Sequence, residues 1–291
     1  MLRQVLIAAF GTLVLAGSAA FALTSSEEQE LAQRISAGAR PQVIRLNEVM
    51  IEDYKRPPAA DDDKSHEFLV IRSRWDEPIT IADHTLAMRT LQVGGGPGAN
   101  AIFVGSSGGD HCCYTAHLVW IEGRVHHQDI ALADSDLKIE AQGGPPRLRF
   151  SDYNFANWNA PFAVNPGPEV VLGYDPRHGE YGLDPDAMRK PAPSDSALQE
   201  IAAGIREKYE ALKGDELDSG LWAAMLDLIY SGNAASARAL FDTAWPEAKP
   251  GKEKFLADFT RQLWGGETWR RFELGRLLGV DPVFPRPARA P

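Results

Sequence analysis

Between residues 67 and 171 short apolar or alternating runs are separated by turn-forming clusters. The runs fall at 68–71, 79–81, 101–104, 114–121, 125–132, 137–141 and 148–150. Gly94-Gly95-Gly96-Pro97-Gly98, the Gly/Ser stretch at 105–109, Glu122-Gly123 and Gly143-Gly144-Pro145-Pro146 separate many of them. Short strands at this pitch predict an antiparallel sandwich, barrel or meander, and the lack of a self-similar period gives no support to a propeller. After Pro193 the apolar period lengthens to that of a helix. Ala197, Leu198, Ile201, Ala202, Ile205, Tyr209 and Leu212 share a face behind the N-cap signal Ser194-Asp195, and 221–230, 234–244, 252–264 and 269–278 continue as helices. Near the start, Thr24-Ser25-Ser26-Glu27-Glu28 contains two overlapping capping boxes, which predict a short helix ending before Pro41. Residues 42–51 fit a helix or a strand, and 52–66, with Pro57-Pro58 and Asp61-Asp62-Asp63, read as an exposed loop.

The fold class expected is therefore α+β, an antiparallel β-rich domain followed by a small all-helical one. The expected boundaries are a signal peptide at 1–22, the β-rich domain at 23–175, a linker at 176–193, the helical domain at 194–281 and a Pro-rich tail at 282–291. Met1-Leu2-Arg3-Gln4 is a positive leader, 5–17 is apolar, and Ala20-Phe21-Ala22 has the small-x-small form of a cleavage site. The apolar run is shorter than the roughly 20 residues of a membrane span. These features predict cleavage after Ala22, a periplasmic or secreted protein, and no transmembrane span in the mature chain.

Composition narrows the function classes. The chain of 291 residues is 44% hydrophobic and 24% charged, which excludes collagen-like, disordered and polytopic membrane classes. A charge of -10, from 40 acids against 30 bases with no dense Lys/Arg stripe, argues against nucleic acid as a partner.

Cys112 and Cys113 are the only cysteines. Adjacent Cα atoms stand about 3.8 Å apart, below the usual disulfide span of about 4.4–6.8 Å, so an intrachain bond would be strained and would require a turn. A vicinal disulfide and two reduced thiols both remain open. The stretch Gly108-Gly109-Asp110-His111-Cys112-Cys113-Tyr114 resembles a group of uncharacterised secreted bacterial proteins with a Gly-Gly-x-His-Cys-Cys-Tyr segment, a β region and C-terminal helices. That resemblance implies no activity. His111, Cys112, Cys113 and Tyr114 are the ligand or redox candidates.

Metal chemistry has weaker support. On a strand, Cys113 and His117 share a face but lie about 13 Å apart, too far for one ion. With Glu122-Gly123 as a two-residue turn, Ile121 faces Arg124 and Val119 faces His126, placing His117 and His126 diagonally on one face about 7–8 Å apart. Tyr114, Ala116, Leu118, Trp120 and Val125 then form the core stripe opposite. Two histidines do not complete a site, so the sequence predicts neither metal nor cofactor, with His117 and His126 as the candidate pair. Ser107 sits in a Gly-x-Ser-x-Gly match, but a strand rather than a helix follows it. No HExxH, P-loop or dinucleotide fingerprint occurs, and no catalytic residue is assigned.

Two further stretches suggest binding. Phe150, Tyr153, Phe155, Trp158 and Phe162 interleave with Asp152, Asn154, Asn157 and Asn159, a composition suited to a glycan or to loop anchoring. Asp152, Tyr153 and Trp158 are the binding candidates there. Gly232, Ala237, Phe241 and Ala244, with Leu221, Met225 and Leu228 on the preceding helix, resemble a single tetratricopeptide repeat. Flanking segments do not repeat the pattern, which leaves a helical hairpin packed on its neighbours as the simpler reading. The expected function is a non-enzymatic periplasmic binding or interaction protein with a protein or glycan partner. The alternative is a cell-envelope hydrolase or metal-dependent enzyme. Intact mass of the protein recovered from cells is expected to place its first residue at Leu23; an untrimmed chain in the cytosol would overturn the export reading.

Overall fold

The computed structural model describes residues 23–56, 66–91, 98–107, 114–141, 144–164, 166–211 and 219–287. Three four-stranded antiparallel sheets follow one another along the chain. The first contains β1 (Gln42–Leu46), β2 (Val49–Tyr54), β3 (Glu67–Arg72) and β4 (Ile79–Asp83). The second contains β5 (Thr85–Leu91), β6 (Ala101–Ser106), β7 (Tyr114–Glu122) and β8 (Arg124–Ala133). β9 (Lys138–Glu140), β10 (Arg147–Ser151), β11 (Glu169–Asp175) and β12 (Glu180–Leu183) form the third. Each strand pairs with its sequence neighbour, so each sheet is a meander.

Residues 42–51 resolve as a hairpin, because Asn47 takes φ 52° in the tight turn that closes Leu46 onto Val49. Asparagine tolerates that left-handed conformation. Before the hairpin, α1 (Ser25–Ser36) starts at the expected capping box. Glu27 donates its N–H to Thr24 Oγ1 at 3.3 Å, and Thr24 donates its own to Glu27 Oε2 at 2.6 Å. Leu31 of α1 packs against Tyr54, Phe68 and Val70, on the first sheet's outer face.

The inner faces of the first two sheets meet in one apolar cluster, with Val49, Ile51, Leu69, Ile71 and Ile81 against Ala101, Phe103, Val119 and Val125. The second sheet's other face adds Ile102, Leu118, Trp120 and Ile130 to a larger core shared with the third sheet and the helices. β6 and β7 are consequently buried on both faces, which is why their sequences read as nearly continuous apolar runs.

The stretch expected to be a linker instead forms a seam. It contains β12 and α2 (Pro185–Met188), and Tyr181 of β12 is fully buried. Gln128 of β8 brackets the Tyr181 backbone, donating to its carbonyl at 2.8 Å and accepting its N–H at 2.7 Å. The helical part comprises α3 (Asp195–Ala211), α4 (Gly220–Tyr230), α5 (Ala234–Ala244), α6 (Lys252–Gly265), α7 (Glu267–Arg271) and α8 (Leu274–Leu277). α4 and α5 form the expected hairpin about Gly232 at φ 79°. Its small and aromatic positions Ala237, Phe241 and Ala244 are fully buried in the common core. The single helix expected at 269–278 is broken by Glu273 at φ 50°. The tail is anchored as far as Phe284, which is 1% exposed and accepts the indole N–H of Trp264 at 2.9 Å. No helix among the described residues is long and apolar enough to cross a membrane.

The aromatic segment after β10 joins sheet to helices. Asp152 is buried and accepts hydrogen bonds from the Tyr230 hydroxyl of α4 at 2.7 Å and from the Asn154 N–H at 3.0 Å. Burial raises its carboxyl pKa despite those two donors, and burial together with the Asp152 charge holds the Tyr230 phenol well above its ordinary value. Tyr230→Phe is expected to cost about 1–3 kcal/mol in urea unfolding at neutral pH, because a buried carboxylate loses a donor. That cost should shrink as acid protonates Asp152; an effect that does not vary with pH would contradict it.

Candidate metal centre

Strand alternation puts every second residue of β2, β3, β4, β6, β7 and β8 into the space between the first two sheets. At one end these inward rows are apolar. Towards the other they carry Asp53, Glu67, Asp83, Gly105, His117, His127 and Asp129, so the sandwich has one titratable end. Lys55 neutralises part of it, lying 3.2 Å from Asp53 Oδ2 and 3.0 Å from Glu67 Oε2 while donating to the Leu86 carbonyl. Burial raises the Asp53 carboxyl even with Lys55 beside it.

The other acids gather around two imidazoles. His117 of β7 pairs in register with Asp129 of β8, and His127 lies two residues from Asp129 on the same face. His117 Nδ1 is 2.8 Å from Asp129 Oδ1, and His127 Nε2 is 2.7 Å from that same oxygen. The two rings stack with centroids 5.7 Å apart. Across the sandwich, Asp83 Oδ2 stands 3.8 Å from His117 Nε2, an ion-pair distance too long for a hydrogen bond. The side chains of His117, His127 and Asp129 are only 8%, 9% and 11% exposed. Nε2 of each histidine is buried without a hydrogen-bond partner, since His127 meets Asp129 outside hydrogen-bonding geometry.

Burial disfavours the His117 imidazolium, but the hydrogen bond its ring N–H donates to Asp129 and the charges of Asp129 and Asp83 outweigh it and raise its pKa. Burial would raise Asp129, yet His117 and His127 hold it far below the usual carboxylate range. The two shifts act in opposite windows of pH. Asp129 contributes stability above the ordinary carboxylate pKa and loses it in strong acid; His117 contributes below the ordinary imidazole pKa and loses it as pH rises through its raised value.

One ligand atom each from His117, His127 and Asp129 lies within 4.8 Å of the others, and no second group of three His, Cys, Asp or Glu does so among the described residues. Ligand atoms around a four-coordinate zinc ion stand about 3.4 Å apart, so small side-chain rotations suffice. Two imidazoles and a carboxylate suit zinc and its neighbours rather than calcium or magnesium.

Of the residues selected from sequence, only His117 belongs to this cluster. The β7–β8 turn spans Glu122, Gly123 and Arg124, with Gly123 at φ 72°, so Ile121 pairs with Val125 and Val119 with His127. That one-residue difference from the expected turn sends His126 to the opposite face, where it stacks on Trp120 at 5.2 Å, and brings Val125 inward. His111, Cys112 and Cys113 lie outside the described residues, in the connection between β6 and β7 that Ser107 enters. Tyr114 opens β7 and is 39% exposed. Tyr153 stacks on Phe162 at 5.2 Å, and half-buried Trp158 meets Trp222 edge-on at 5.5 Å, so this aromatic segment is committed largely to internal packing. Sequence reasoning passed over His127 and Asp129, although their i, i+2 spacing on a strand marks a shared face. Asp83 carried no such signal, because only sheet packing brings it to His117.

No family model, curated protein or solved structure matches the chain. The closeness of the site's packing can be tested at Gly105, where an added Cβ would fall 2.1 Å from Asp83 Oδ2. Gly105→Ala is expected to lower stability by about 1–3 kcal/mol in urea unfolding. Gly144→Ala, in open space, should stay within about 0.5 kcal/mol of wild type. Equal effects would contradict the packing described.

Proposed function

We propose that the protein is an exported binding protein whose ligand is a divalent transition-metal ion of the zinc class, held by His117, His127 and Asp129. The observation that carries this reading is the convergence on one carboxylate oxygen of two imidazoles that are nine-tenths buried, His117 through Nδ1 and His127 through an Nε2 that has no hydrogen-bond partner. Buried polar atoms are normally satisfied, and an ion satisfies several at once. Asp129 supplies the third donor that His117 and a single second histidine lacked. Three protein donors leave a fourth position on a tetrahedral ion, but the burial of the cluster closes that position to a substrate, which favours holding an ion over metal-dependent hydrolysis. Export, as expected from residues 1–22, belongs to the same reading and places the protein where it would meet metal outside the cytoplasm.

Dialysis of the purified protein against zinc, followed by elemental analysis, is expected to give one tightly held ion per chain. His127→Ala should abolish it and His126→Ala should leave it intact. Absence of stoichiometric zinc in the wild type, or full retention by His127→Ala, would overturn the proposal.

A further inference from the structure

The two nitrogens of His117 face two different carboxylates. Nδ1 meets Asp129 at 2.8 Å, on the side where His127 converges, whereas Nε2 points towards Asp83 at 3.8 Å. Metal-bound histidines commonly donate the remaining ring N–H to a carboxylate, which fixes the tautomer and the ring orientation. Asp83 is placed for that task. Its side chain is 8% exposed, and its Oδ1 accepts the backbone N–H of His84 at 2.9 Å, leaving Oδ2 directed at the imidazole. Among the described residues its only ion-pair partner is His117, since Lys55 is engaged by Asp53 and Glu67. Gly105 provides the space: a Cβ at that position would occupy the place of the Asp83 carboxylate, with Cγ 2.8 Å away.

We infer that Asp83 is the positioning residue of the centre, accepting the Nε2–H of His117 so that the Nδ1 lone pair is presented to the ion beside His127 and Asp129. This rests on the metal-binding reading above. No covalent step is involved. The ion takes the Nδ1 lone pair, the Nε2 proton stays on the ring, and a small rotation of Asp83 closes the remaining gap into a hydrogen bond. Asp83 and Asp129 together bring two negative charges, matching a divalent ion with both histidines neutral.

The experiment combines zinc affinity, measured by competition with a chromophoric chelator, with nitrogen NMR of ring-labelled histidines in the zinc-loaded protein. Wild type is expected to show His117 bound through Nδ1 with a slowly exchanging Nε2–H. Asp83→Ala should bind zinc about 10–100-fold more weakly with faster exchange of that proton. Asp83→Asn, which keeps a carbonyl acceptor, should recover part of both. Coordination of His117 through Nε2, or wild-type affinity in Asp83→Ala, would overturn the inference while leaving the metal site standing. Failure of the wild type to bind zinc would remove both readings. The nitrogen assignment is made on the wild-type protein, so it decides the matter even if Asp83→Ala fails to fold.

Discussion

β6 and β7 have no solvent face, and that constraint shapes the molecule around them. A polar side chain directed inward from these strands must find its partner within the protein, because an unpaired buried group costs about 1–3 kcal/mol or more. Towards the third sheet, the neighbouring strand β8 meets the same demand with Gln128, whose amide completes the backbone of Tyr181 and extends the sheet contact through hydrogen bonds. Towards the first sheet it is met by charge. His117, His127, Asp129 and Asp83 answer one another across strands and across the sandwich.

The buried charge is confined to one end of the sandwich. The other end of the same inward rows is closed by Leu46, Val49, Ile71 and Val125, so the titratable groups sit above an apolar floor. A low-dielectric floor strengthens each pairing and penalises each unpaired atom. The same balance recurs at the join with the helices, where one buried carboxylate, Asp152, is held by the Tyr230 hydroxyl amid interlocking aromatic rings.

Much of the fold was legible in the sequence because local physics dictates it. The capping box at Thr24 starts α1, the long period after Pro193 gives the helices, and Gly/Pro clusters punctuate most of the strands. β12 was hidden by its brevity and its Pro and Asp flanks, and it read as a spacer until paired with β11. The candidate site was half legible. His117 stood out as a histidine on a strand, but choosing between His126 and His127 required the conformation of one glycine. Gly105 comes beside His117 through the pairing of β6 with β7, whereas Asp83, in the first sheet, became a neighbour of the cluster only through packing of one sheet on another.

The tip of the β7–β8 hairpin therefore reaches further than its size suggests. Five residues, or about 17 Å of strand, separate Glu122 from His117. Over that distance the parity of the turn alone decides which of two adjacent imidazoles is turned towards Asp129 and which is spent against an indole. Lengthening or shortening the tip by one residue would exchange them with every side chain of the cluster still in the chain, so the donor set is written in backbone geometry as much as in residue identity.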